Sequence, residues 1–319
     1  MKWNRLMLVL ALLTVFIIVG CSAESSDVSK QEEEKEDATA EIEQTNKITD
    51  ALGNEITFEK TPESFAALNP GEIEMLVALG ANVVGRPTTH GPAIPGTEEA
   101  HELGNPHNPN FEKIAEANPD VLIVPPSFQQ CANNLQNQGM KVVYTEANSV
   151  ADIQKTLKNY GVMLNKVEEA QKIIDRIDAD IAAIEKVQPV RTLLVYGAPG
   201  TYLAALPTSL SGDILEKVGG ENIAADFPKE DQYPQYASLS VEKIIERNPE
   251  AVMLITHGDP EAVRGAFENE MMKNPAWKNL DAVKAGNVTV LPSHLFGTNP
   301  GTKIVDALEE MKNQLQEVQ

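Results

Sequence analysis

Only five histidines occur in the 319-residue chain, at positions 90, 101, 107, 257 and 294. Two of them adjoin copies of one repeated stretch: His107 just before its helix in the first copy, and His257 just after its strand in the second. Neutral imidazole is the commonest side-chain metal ligand, and two imidazoles converging on one cleft suit a metal held from both sides. A haem iron asks for that number, because the porphyrin fills its four equatorial positions and leaves two axial ones. A bare zinc or manganese ion would want four or more protein ligands close together, and flanking carboxylates for such a cage are not evident. Either histidine taken alone reads equally well as a surface loop residue.

The repeated stretch is Phe111-Glu-Lys-Ile-Ala-Glu-Ala-Asn-Pro-Asp-Val-Leu-Ile-Val124, which returns as Val241-Glu-Lys-Ile-Ile-Glu-Arg-Asn-Pro-Glu-Ala-Val-Met-Leu254. Each copy predicts a short amphipathic helix, stopped at Asn-Pro because proline cannot continue the ladder, and then one buried strand. A spacing of about 130 residues is far beyond a solenoid period and marks a duplicated domain. Glu112 and Glu242 hold equivalent positions in the two helices. They read either as first-turn charge favoured by the helix dipole, or as one carboxylate per lobe, set to meet two basic sites on a two-fold symmetric partner.

Other chemistries lack their carriers. No Gly-x-Ser-x-Gly, His-Glu-x-x-His or Cys-x-x-Cys occurs, so a nucleophile elbow, a zincin and a redox motif are all missing. Gly197-Ala-Pro-Gly200 has neither the Lys-Ser/Thr of a P-loop nor the third glycine of a dinucleotide fingerprint, and reads as a turn. A net charge of -21 argues against nucleic acid, whose binders carry basic patches. Besides Cys21, Cys131 is the only thiol; it has no basic neighbour in sequence and reads as a small buried apolar residue.

The elements that must position these groups follow in order. Residues 1–20 have the layout of a secretory signal, with Lys2 and Arg5 before an apolar run from Leu6 to Val19. Cys21 opens a polar, acidic segment to residue 46 that cannot bury enough apolar surface to fold and reads as a linker. Residues 47–148 predict a first lobe in which strands alternate with helices, the pattern of a mainly parallel sheet covered on both faces. From 149 to 188 the apolar spacing is helical throughout and predicts one bridging helix, with Gly161 or Asn165 as the places for a kink. Residues 189–319 repeat the plan as a second lobe, in which Ser238 and Ser240 offer cap oxygens to the repeat's helix. In open α/β sheets ligands bind at the carboxyl ends of strands. His257 follows such an end directly, and His107 lies in a loop feeding a helix, so the two can face each other between the lobes.

Several stretches together resemble the substrate-binding lipoproteins of bacterial ABC importers for siderophores, cobalamin and haem: Thr49-Asp-Ala-Leu-Gly-Asn54, Glu74-Met-Leu-Val-Ala-Leu-Gly80, Asn110-Phe-Glu-Lys-Ile-Ala-Glu-Ala-Asn-Pro-Asp120 and Gly219-Gly-Glu-Asn-Ile223. The resemblance implies a periplasmic-binding-protein-like α/β fold of two lobes joined by one long helix, and no enzymatic activity. It also implies permease docking through Glu112 and Glu242. Ile18-Val-Gly-Cys21 resembles a lipobox, which implies acylation of Cys21 and a monomer tethered to the outer face of a Gram-positive cell membrane. Gly197-Ala-Pro-Gly-Thr-Tyr-Leu-Ala204 and Leu254-Ile-Thr-His-Gly-Asp-Pro-Glu261 are similar to the haem-binding members. In those, a histidine at the place of His257 ligates iron, and a second ligand, often methionine, comes from the loop where this chain has Gly104-Asn-Pro-His107. The implied ligand is non-covalent haem held by His107 and His257, with Thr88, Thr89 and Tyr202 as candidates for its propionates. The implied partners are surface haem donors and the permease and ATPase subunits. A ferric-siderophore or cobalamin receptor of the same fold is the alternative; an aromatic content of 5% weighs against it.

Overall fold

The computed structural model of the chain describes residues 46–88, 93–106, 108–137, 139–197, 201–256, 260–271 and 273–318. The segments read as signal, Cys21 and linker lie outside them, Asn46 excepted. A hairpin of β1 (Lys47–Thr49) and β2 (Glu55–Thr57) comes first. Its turn is closed by the Asp50 carboxylate, which accepts from the backbone N–H groups of Leu52 and Asn54, both at 2.9 Å, the Asx device that favours aspartate in turns.

The first sheet is wholly parallel. β3 (Phe65–Ala67), α1 (Pro70–Ala78), β4 (Val83–Arg86) and β5 (His101–Glu102) lead to a small hairpin, β6 (Gly104–Asn105) and β7 (Asn108–Pro109). The chain continues through α2 (Phe111–Ala117), β8 (Val121–Val124), α3 (Gln129–Gln136) and β9 (Lys141–Tyr144). The strand order is β5-β4-β3-β8-β9. Parallel strands are buried on both faces, and the pleat sends alternate residues to opposite sides. Phe65, Ala67, Val121, Ile123 and Val143 enter one core; Ala66, Leu122, Val124 and Val142 enter another. On α3 the inward positions are Ala132 and Leu135, so Cys131 faces outward and is exposed, which corrects its expected burial.

The expected single bridging helix over 149–188 is two antiparallel helices, α4 (Val150–Met163) and α5 (Val167–Ala183). Asn165 takes the left-handed conformation, φ 54°, a common way for a helix to end. Lys166 N–H then donates to the Gly161 carbonyl at 2.7 Å. A Cβ on Gly161 would lie 2.6 Å from Cβ of Ala170, so only glycine lets the two helices approach this closely. Further along, Gln154 Nε2 donates to Asp178 Oδ1 at 2.6 Å.

The second half comprises β10 (Arg191–Tyr196), β11 (Leu203–Ala205), α6 (Leu210–Val218), β12 (Glu221–Asn222), β13 (Tyr236–Ser238), α7 (Val241–Arg247) and β14 (Ala251–Ile255). After these come α8 (Pro260–Met271), α9 (Asp281–Ala285), β15 (Val288–Val290), the short α10 (Ser293–Phe296) and α11 (Ile304–Val318). The sheet order is β13-β11-β10-β14-β15, with β12 also beside β10. Its central pairs are parallel, while β11 and β13 form an antiparallel edge. Alternation recurs on β14, with Met253 and Ile255 in the core shared with the first half and Val252 and Leu254 in a separate one.

The shared core joins Ile73 and Leu76 of α1, Ile153 and Leu157 of α4, and Leu308 and Met311 of α11. Each such side chain contributes about 1.5–3 kcal/mol when fully buried. The second half reaches across to the first at residues 299–303, which lie on the start of α1. A Cβ on Gly71 would come within 2.0 Å of the Asn299 carbonyl oxygen.

Candidate functional site

The duplicated units superpose in kind. α2 starts at Asn110, whose Oδ1 accepts from the N–H groups of Glu112 and Lys113 at 2.9 and 3.1 Å. α7 starts at Ser240, whose Oγ accepts from Lys243 N–H at 3.4 Å. Ser238 takes no part in that cap and donates instead to Glu230. Both helices end on a left-handed asparagine, Asn118 at φ 42° and Asn248 at φ 44°. The asparagine makes the stop, and the proline after it prevents resumption. Glu112 and Glu242 lie in the first turns and are exposed. Neither forms an ion pair among the described residues.

His107, His257 and Thr89 lie outside the described residues, but their neighbours are placed. The β6–β7 hairpin pairs Asn105 with Asn108. It is tied to the carboxyl end of β4 by Leu103 N–H to the Arg86 carbonyl at 2.8 Å and Thr88 N–H to the Gly104 carbonyl at 2.9 Å. β14 ends at Ile255, with Thr256 buried and α8 resuming at Pro260. The described residues flanking each position thus lie beyond carboxyl ends of parallel strands. Among the described residues no group of three or more His, Cys, Asp or Glu is arranged to hold a metal ion. Thr88 is exposed and its hydroxyl donates to Glu102 at 3.3 Å. Tyr202 packs edge-on against Phe267 of α8, ring centroids 5.1 Å apart. Its buried hydroxyl finds no hydrogen-bond partner among the described residues, and burial, then the Glu270 carboxylate, hold its pKa above the usual phenol value.

Between the halves lies a cavity of about 490 Å³. Its first-half wall is Asn69 after β3, Ile123 to Ser127 at the end of β8, and Thr145 to Asn148 after β9; its second-half wall is Gln232 to Gln235 with Asn299. This is the carboxyl edge of the first sheet, where open α/β folds bind ligands. A larger hollow, about 690 Å³, runs between α5 and α11, but it touches no strand end. Among the described residues lining the interlobe cavity, the ionisable ones are Glu72 and Glu146, and none is a lysine or arginine. Tyr233 is 50% exposed. Behind it the rings of Tyr196 and Tyr236 stack 5.1 Å apart, and burial, then the mutual presence of the two phenols, holds Tyr236 as a phenol to high pH. Gln235 Nε2 donates to Glu146 Oε1 at 3.1 Å, a bond across the cavity from one half to the other.

With this geometry in place, comparison with known proteins is decisive for the family. Residues 65–295 match the sequence profile described as periplasmic binding protein. The chain belongs to the periplasmic binding protein family. A relative named high-affinity heme uptake system protein IsdE, from Staphylococcus aureus strain Newman, is 29% identical over 240 residues, covering 73% of this chain and 79% of the relative. The crystal structure of an ABC transporter substrate-binding protein from Listeria monocytogenes EGD-e aligns with TM-score 0.70 and 26% identity over 80% of this chain and 98% of that one. The structure of S. aureus IsdE complexed with heme aligns with TM-score 0.69 and 25% identity over 79% of this chain and 98% of that one. As a periplasmic binding protein the chain is a non-enzymatic transport component, in keeping with the missing catalytic motifs.

Sequence reasoning overlooked two groups of cavity residues in this periplasmic binding protein. Gln232-Tyr-Pro-Gln235 carries the loop signal of a proline between polar residues, yet nothing local says that it faces the other half. Glu72 stands in the first turn of α1, where an acid is ordinary; only the fold reveals that it is buried.

Proposed function

We propose that the protein captures haem in the interlobe cavity and delivers it to an ABC permease. The lining of that cavity carries the reading: Ile123, Val124, Pro125 and Pro126 contribute to it from the first half and the exposed Tyr233 from the second, with no cation among the described lining residues. A ferric carboxylate or catecholate chelate is anionic and would call for lysine or arginine. A haem is apolar over both faces and anionic only at its propionate edge, so its body calls for apolar walls and a few polar groups. The relative named for heme uptake, and the heme complex of the same fold, support the choice.

In this reading His107 and His257 bind the iron from opposite faces, each through a neutral imidazole nitrogen, and the haem is held without a covalent bond. Thr88, Thr89 and Tyr202 are the candidates for hydrogen bonds to the propionates. A bis-imidazole iron has a lower reduction potential than a Met/His pair. Glu112 and Glu242 dock to basic sites on the permease, Cys21 carries the lipid, and residues 22–46 give the tethered receptor its reach outside the membrane.

Titration of the purified protein with haemin and with a panel of ferric siderophores, read by absorbance, tests this. The expected result is a low-spin bis-histidine spectrum with haemin alone, and loss of most binding in His257→Ala. A protein that ignores haemin and takes up a siderophore overturns the haem reading and leaves the receptor fold in place.

A further inference from the structure

α1 begins with a carboxyl group in the wrong solvent. Glu72 is 3% exposed among Ile73, Met75 and Leu76, and among the described residues no cation pairs with it. An unpaired charge in such a place is costly unless hydrogen bonds compensate, and the bonds present come from three distant stretches of chain. The Tyr160 hydroxyl, on α4, donates to Oε2. Asn299 Nδ2 donates to Oε1 at 3.1 Å, while Asn299 Oδ1 accepts from Gly301 N–H at 2.8 Å. The Thr145 side chain, after β9, is the third partner. Beside them Lys303 Nζ reaches Glu74 Oε1 at 2.6 Å, and Gly71 lies against the Asn299 backbone. Side chains from both halves thus meet on this one carboxyl, and Glu72 and Asn299 both line the cavity.

We propose that Glu72 is the pin of the interlobe junction: a positioning residue that, through Tyr160, Asn299 and Thr145, fixes the angle at which the two halves face the cavity. The role is independent of which ligand the cavity takes. Burial, the largest influence, holds the Glu72 carboxyl above the usual value of 4.5, and its three hydrogen bonds oppose that rise. Of the ionisable groups around it, Tyr160 alone is in contact, and burial with the nearby Glu72 keeps it a phenol. Glu146 lines the same cavity, and the Glu74–Lys303 pair closes the flank from α1 and the 299–303 stretch. The folded junction therefore holds the Glu72 proton more tightly than the unfolded chain does. Its contribution is complete below the unfolded pKa and is lost as pH rises through the raised folded one.

The test uses the full chain with Cys21 and Cys131 changed to serine and spin labels on Glu116→Cys and Glu246→Cys, which sit on exposed positions of α2 and α7. Pulsed-EPR distances between the labels are recorded without ligand from about pH 5 to about pH 9. The expected result is a narrow distribution at low pH that broadens reversibly as pH rises. Glu72→Gln, which mimics the protonated acid, should stay narrow throughout. Tyr160→Phe, lacking a bond that lowers the Glu72 pKa, should broaden at a higher pH than the parent. Asn299→Ala should be broad at every pH. A Glu72→Gln protein that keeps the parent's pH response, or an Asn299→Ala protein that keeps its narrow distribution, overturns the proposal.

Discussion

Two residues at the junction act through what they lack or hide, and sequence gives little warning of either. Gly71 follows Pro70 in the first turn of α1, where many residues would serve as well, yet its missing side chain is what admits the Asn299 carbonyl. Gly71→Ala forces a Cβ to within 2.0 Å of that oxygen. Overpacking of this kind costs about 1–3 kcal/mol, so the urea midpoint should fall with an unchanged slope. An unchanged midpoint would mean that the 299–303 stretch yields freely and is no fixed part of the junction. Asn118 and Asn248 are different, because their message was half legible. Asn-Pro announced the end of each helix, but proline was credited with a stop that the left-handed asparagine makes.

At the scale of elements, periodicity served where one face is buried and failed where helices follow one another. The alternating and fully apolar runs placed β8, β9, β10 and β14, because both sides of a parallel strand meet apolar neighbours. The two-residue β5 and β12 carry too few side chains to set up a pattern. From Val150 to Ala183 the apolar spacing never lapses, since α4 and α5 bury stripes against the same core, and Asn165 is a weaker stop signal than glycine or proline. The joint can be tested by the sign of one substitution. In a continuous helix Asn165→Ala would stabilise by about 0.5 kcal/mol through propensity. In the hairpin it places alanine at φ 54°, which costs about 1–2 kcal/mol, so the melting temperature should fall, and Asn165→Gly should be tolerated. The candidate site is legible to the same degree: the repeat exposed Glu112 and Glu242 by their matching positions, whereas Tyr233 and Glu72 become cavity residues only when two distant segments are brought together.

For the whole molecule, the geometry separates two tasks that a receptor must perform. The cavity lies between the halves, while Glu112 and Glu242 stand exposed on α2 and α7, one on each half, with no internal ion pair among the described residues to satisfy them. Exposed carboxylates left unpaired add little to folding, so removing them should leave stability and ligand affinity unchanged. In the proposed docking role their worth appears only against basic groups on the permease, where reversing a charge creates repulsion as well as losing an attraction. Glu112→Lys and Glu242→Lys should each reduce uptake by whole cells, and the double variant should abolish it, with haemin titration curves matching the parent. Because both carboxylates are solvent-exposed, binding of the loaded receptor to permease vesicles should also weaken as salt is raised, whereas in the double variant, where repulsion replaces attraction, whatever binding remains should strengthen with salt. Uptake that survives the double reversal would place the docking face elsewhere. A change in the haemin curve would instead show that α2 and α7 report on the cavity, and that the two tasks are coupled.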